Sequence, residues 1–177
     1  LVTGVQTCAL PIFGVKMPES IADYFSVKKE FAPGKTEGNV ISGNNSFQLS
    51  AKKGEKSVVS LGSREATMLL ECDVTIGDNG IAGFAFGNPK KAFKNYYALA
   101  LDAKRNCIHY EGYKLGGFEN IVSSDPIAQT KFTFKPGEKH HVTIVAENEI
   151  VILYIDDAKV LSSRIYNSIN GADLALF

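Results

Sequence analysis

The sequence predicts an all-β chain folded as an antiparallel sandwich and reached through one short N-terminal connector helix. Three observations carry that expectation. Ala66 to Ile76, ATMLLECDVTI, alternates strictly: Met68, Leu70, Cys72, Val74 and Ile76 share one face, and Thr67, Leu69, Glu71, Asp73 and Thr75 the other. That period of two belongs to a half-buried strand. Short β-branched and aromatic runs recur down the chain between turn clusters, roughly ten to twelve strands in all. Neither an internal repeat nor a strand–helix–strand rhythm interrupts them.

Taken in order, Met17 to Phe31 (MPESIADYFSVKKEF) is the helical piece. Pro18 suits a first helical turn and Glu19 the positive end of the helix dipole. Ile21, Tyr24 and Phe25 then share one face. Turn-rich Ala32 to Ser46 follows, so residues 14–45 read as connector and linker and 46–177 as the sandwich domain. After Ala66–Ile76, GDNG (Gly77 to Gly80) turns the chain and Ile81 to Phe86 runs back. Asn95 to Asp102 and Cys107 to Lys114 flank AKRN, a hairpin turn. His140 to Glu147 and Ile150 to Ile155 flank a tight turn at Asn148 and Glu149. Asp156 and Asp157 end that strand, Lys159 to Tyr166 forms another, and Asp173 to Phe177 begins a last one.

The first residues are of another kind. Val2 to Ile12, VTGVQTCALPI, matches codon by codon the translation of a short-read sequencing adapter. Residues 1–13 are therefore set aside as a non-native scar, and a break after Phe177 is expected as well. About 165 residues remain, enough for one domain with a sizeable core. A formal net charge of +0 gives no footprint for nucleic acid or an acidic membrane surface. No apolar run is long enough to span a bilayer. Outside the scar only Cys72 and Cys107 remain, which read as buried thiols and make neither a metal motif nor a disulfide framework.

Zinc, P-loop, dinucleotide and nucleophile-elbow motifs are absent. Adjacent His140 and His141 point to opposite faces of a strand and read as a solvated strand end. Asp78 to Gly80, DNG, reads as a turn. Glu71 and Asp73 lie two apart on one strand face, a separation that suits the paired carboxyls of a retaining glycosidase. The other reading of this pair is a polar outer face. Tyr96, Tyr97, Tyr110 and Tyr113 cluster on one hairpin with Asn95, Asp102 and Glu111, and tyrosine's apolar face and polar tip suit a sugar ring. Because Tyr96 and Tyr97 are adjacent, at least one of them belongs to the core.

Several segments together resemble the C-terminal β-sandwich of glycoside hydrolase family 32, the β-fructosidases. They are the connector MPESIADYF, the hairpins ATMLLECDVTIGDNGIAGFAFG and NYYALALDAKRNCIHYE, and the run HHVTIVAENEIVILYIDDAKVLSSRIYNSINGADLALF, in which SSRIY is the more specific part. The resemblance covers Met17 to Phe177 and implies a concanavalin A-like jelly roll. It brings no catalytic residue. The family's N-D-P-N and R-D-P motifs are missing, SDP at Ser124 to Pro126 lacks the Arg, and ECD at Glu71 to Asp73 lacks the Pro of E-C-P. Nor does E-x-D here resemble a jelly-roll glucanase in full, since Val74, Thr75 and Ile76 stand where that family has its second Glu. Trp, the usual sugar-stacking residue of such clefts, is absent.

What the resemblance implies is a non-catalytic module that packs against a catalytic β-propeller of the same polypeptide and stabilises it. In some members the module also binds fructan. The face of Ile21, Tyr24 and Phe25 is the expected docking surface, and no metal or cofactor is expected. The parent enzyme would be secreted or periplasmic and would hydrolyse sucrose, levan or inulin. The alternative is a free-standing concanavalin-like carbohydrate-binding domain, whose ligand site would be the four tyrosines.

Overall fold

The structure, a computed structural model, describes residues 25, 33–63, 65–87, 95–114, 128–148, 150–164 and 173–177. Among them the chain forms only strands: β1 (Thr36–Glu37), β2 (Asn39–Gly43), β3 (Ser46–Ser50), β4 (Val58–Ser63), β5 (Thr67–Thr75), β6 (Ile81–Gly87), β7 (Asn95–Asp102), β8 (Cys107–Lys114), β9 (Ala128–Lys131), β10 (Lys139–Glu147), β11 (Ile150–Ile155), β12 (Ala158–Arg164) and β13 (Asp173–Leu176). A seven-stranded sheet runs β1-β4-β13-β6-β7-β8-β9, a four-stranded sheet runs β12-β11-β10-β5, and β2 and β3 form a separate hairpin. All the described pairings are antiparallel.

Alternation explains the core. Along β5, Leu70, Cys72 and Val74 turn inward while Glu71, Asp73 and Thr75 are exposed, as their period of two requires. Val142 and Ile144 of β10 and Val151, Leu153 and Ile155 of β11 complete this inner face. Phe84, Leu99, Leu101, Ile108, Tyr110 and Leu174 oppose it from the larger sheet, each at most 1% exposed. Burying each such side chain stabilises the fold by about 1.5–3 kcal/mol. The other face of the larger sheet is buried too. There Val58, Ala85, Ala98 and Ala175 form a second cluster at 0% exposure.

Turns fall where short polar residues tolerate a left-handed backbone. The β11–β12 hairpin uses Asp156 and Asp157 at φ 51° and 64°, a type I′ pattern that matches sheet twist. Asn45, Asn79, Asn106 and Asn148 supply positive φ at four other turns.

One expectation changes. The sandwich begins earlier than residue 46, because β1 already pairs with β4 and β2 with β3. The Gly and Asn residues of this stretch, Gly38 and Asn45 among them, punctuate short strands here and do not make a linker. The expected helix over Met17–Phe31 lies outside the described residues except at Phe25, which is half-buried and in no regular element. The last strand, β13, sits in the middle of the larger sheet between β4 and β6, and Phe177 continues that ladder by exchanging backbone hydrogen bonds with Gly83.

Candidate functional site

Among the described residues β5 is the last strand of its sheet, and β3 lines a common groove with it without pairing. Between them opens a groove of about 920 Å³. Its walls inherit the alternation of both strands. Phe47 and Leu49 from β3 and Leu70 and Cys72 from β5 form an apolar floor, while Gln48, Glu71 and Asp73 line the mouth. Pockets that take small ligands commonly combine such a floor with a few placed polar groups.

The two carboxylates at the mouth differ. Asp73 is engaged on both oxygens: Lys139 Nζ donates to Oδ2 at 2.6 Å, and His141 Nδ1 lies 3.1 Å from Oδ1. Cross-strand register explains this, since Asp73 faces His141 and Thr75 faces Lys139. Hydrogen bonds from Lys139 and then His141 hold the Asp73 carboxyl below the ordinary carboxylate range. The side chain of Glu71, opposite Thr143, has no hydrogen-bond or ion-pair partner among the described residues, and neither has that of Gln48. Beneath them burial, and then the charge of Asp73, push the Cys72 thiol up to about 12.

The four tyrosines do not share one environment. Tyr110 is 0% exposed, and its ring stacks on that of Tyr97 at 5.7 Å within the core. Tyr97 is half-buried against the same cluster. These two rings pack the sandwich, which accounts for the aromatic enrichment the sequence shows. Tyr96 and Tyr113 are direct cross-strand partners in the β7–β8 ladder, and their side chains lie outside the described residues. Of the expected docking face, Ile21 and Tyr24 lie outside the described residues, and Phe25 is half-buried.

One polar cluster escaped sequence reasoning. Asp102, Cys107 and His109 bring ligand-type atoms within 4.8 Å of one another, all buried. A cation already occupies the cluster. Arg105, in the AKRN turn, donates its Nε to Asp102 Oδ2 at 2.5 Å and reaches His109 Nε2 with Nη2 at 3.2 Å. Its backbone N–H donates to Asp102 Oδ1 at 2.8 Å. The spacing Asp102–Arg105 across a four-residue turn was the available signal, because an Asp before a tight turn commonly accepts from the backbone further on.

The histidines face opposite ways as expected, but only His141 is exposed. His140 is buried, edge-on to Phe132 and Phe134, with Nδ1 2.8 Å from Asp156 Oδ2. Burial pushes the Asp156 carboxyl up, but hydrogen bonds from His140 and the backbone N–H of His141 outweigh it and hold the carboxyl below its usual range.

No protein-family model and no curated protein matches the chain. Among solved structures it is similar to the carbohydrate-binding module CBM66 from Bacillus subtilis, at 22% identity and a TM-score of 0.53 over 78% of this chain and 86% of that one. It is similar also to the carbohydrate recognition domain of Emp46p in a potassium-bound form, at 14% identity and a TM-score of 0.51 over 80% and 79%. The fold is thus an antiparallel jelly-roll β-sandwich of the concanavalin A-like type.

Proposed function

We propose that this chain is a non-catalytic carbohydrate-binding module that belongs to a fructan- or sucrose-hydrolysing glycoside hydrolase of family 32 and packs against its catalytic β-propeller. The observation that carries the reading is an amphipathic groove on a jelly roll whose solved neighbours are described as carbohydrate-binding domains. The SSRIY run and the MPESIADYF connector support the parent enzyme. As part of that enzyme the module would be secreted or periplasmic, with Phe25 and its neighbours Ile21 and Tyr24 at the junction between domains.

Glu71 and Asp73 share an exposed face, but their chemistry argues against hydrolysis. A retaining pair needs a carboxylate oxygen free to attack the anomeric carbon. Both oxygens of Asp73 are engaged instead, by Lys139 and His141. Purified protein is expected to bind levan or inulin in a pull-down and to release no reducing sugar from either, or from sucrose. Clear turnover would overturn the non-catalytic reading. A free-standing carbohydrate-binding domain is the second reading, favoured by those neighbours' descriptions. Long-read sequencing upstream of Phe13 separates the two: a propeller frame with N-D-P-N, R-D-P and E-C-P supports the parent enzyme, and its absence supports the free-standing domain.

A further inference from the structure

We infer that the groove between β3 and β5 is the glycan site, with Glu71 and Gln48 holding hydroxyls and Phe47 on the floor beneath the sugar. The inference rests on the carbohydrate-binding reading above and gives that reading its site and ligand class, a neutral oligosaccharide.

Three observations support the assignment. The first is the split of the groove. β3 and β5 each send alternate side chains to the floor and to the mouth, so Phe47, Leu70 and Cys72 lie below Gln48 and Glu71. A sugar ring divides the same way, with C–H faces and hydroxyl edges. The second is availability. Asp73 commits its oxygens to Lys139 and His141, whereas the side chains of Glu71 and Gln48 have no partner among the described residues. A carboxylate and an amide together accept from and donate to vicinal hydroxyls. The third is charge. Lys139 and His141 are drawn to Asp73, so the free charge at the mouth is that of Glu71, which repels an acidic polysaccharide and suits a neutral one. A volume of about 920 Å³ is ample for a short oligosaccharide. The rival location is weaker, because Tyr97 and Tyr110 have their rings in the core.

The test is calorimetric titration of the purified chain with levan- and inulin-derived oligosaccharides, and with polygalacturonate as the acidic probe. Glu71→Gln and Gln48→Ala are expected to weaken binding of the neutral probe about ten-fold or more each, the loss of a hydrogen bond to a charged or well-placed polar group. Both positions are exposed, and circular dichroism checks that the variants fold. Lys135→Ala, on the loop before β10, is expected to leave affinity unchanged, and polygalacturonate is expected not to bind. If Tyr96→Ala or Tyr113→Ala abolishes binding while Glu71→Gln binds as the wild type does, the groove is not the site, and the carbohydrate-binding reading survives. If the wild type binds no glycan, that reading fails and its site with it.

Hydrogen exchange followed by peptide mass spectrometry gives a readout that needs no substitution. Saturating oligosaccharide is expected to slow exchange in the β3 and β5 peptides more than in those of β7 and β8, and slowing confined to β7 and β8 would overturn the assignment. Slowing in β3 and β5 with protein concentration and no glycan would mark a strand from a second copy in the groove, and would overturn it too.

Discussion

Removing Arg105 should unmask the cost of a buried charge. Asp102 is 0% exposed and lies under the turn joining β7 and β8. Its Oδ2 accepts from Arg105 Nε at 2.5 Å, and His109 Nε2 sits 3.5 Å away. Arg105→Ala leaves the carboxylate in place without the guanidinium. Breaking a buried pair by deleting one partner costs about 3–5 kcal/mol. Here the arginine side chain is 53% exposed, so water already screens part of the interaction. Discounting for that screening leaves about 2–3 kcal/mol. For a domain of this size the melting temperature should fall by about 4–12 °C.

Differential scanning calorimetry at neutral pH measures the shift, and a second substitution identifies its cause. Asp102→Asn keeps an oxygen for the Arg105 backbone N–H and removes the charge. The double variant, Arg105→Ala with Asp102→Asn, should therefore recover at least half of the loss. The vacated position also makes a chemical prediction. With the guanidinium gone, Asp102, Cys107 and His109 keep three metal-type donors within 4.8 Å, so zinc should raise the melting temperature of Arg105→Ala and leave the wild type unmoved. An Arg105→Ala protein within about 0.5 kcal/mol of wild type would refute the reasoning, and the bridge would then be an ordinary surface pair.

Two further outcomes are expected. The Asp156 carboxyl is held below its usual range, so its contribution is present above the unfolded value and is lost as pH falls through the folded one. Acid unfolding followed by far-UV circular dichroism should thus show stability dropping below about pH 4, with a shallower drop in Asp156→Asn. Asn keeps the left-handed turn, and the loss at neutral pH should be about 0.5–1 kcal/mol after solvent screening. Asp157→Gly should raise stability by about 0.5–1 kcal/mol in urea unfolding, because Asp157 adopts φ 64° where glycine carries no side-chain penalty.

The strand pattern was legible wherever one physical cause dominated. Ala66–Ile76 alternates because one face is core and the other water, and the structure keeps that division from Leu70 to Thr75. The hairpins around AKRN and Asn148 were legible because their turns need particular backbone angles, and the residues that tolerate them are few. Short strands near the start were not. NVISG looks like linker because Gly and Asn dominate locally, and only its pairing with β3 makes it a strand. That Tyr97 and Tyr110 belong to the core was illegible for a related reason. Composition cannot say which face of a strand is covered, and a sheet buried on both faces leaves no solvent side for alternation to mark. Ala85, Ala98 and Ala175 show the same limit, since three alanines announce no face until the fold buries them.

Why the groove should stay open is an argument about β5 as an edge. Among the described residues β5 is nine residues long with one unpaired side, and such an edge is a template for another chain. Proteins blunt such edges with charge, and β5 carries Glu71 and Asp73 on its solvent face. Asp73 is further braced by Lys139 and His141. An incoming strand would have to seat its backbone beside these charges and between β5 and β3. A sugar meets no such obstacle, because its hydroxyls can take up Glu71 and Gln48 at the mouth without entering the ladder. The features that discourage strand addition are thus the ones that leave hydroxyl-binding groups free, and the same alternation that builds the core from Leu70 and Cys72 sets both in place.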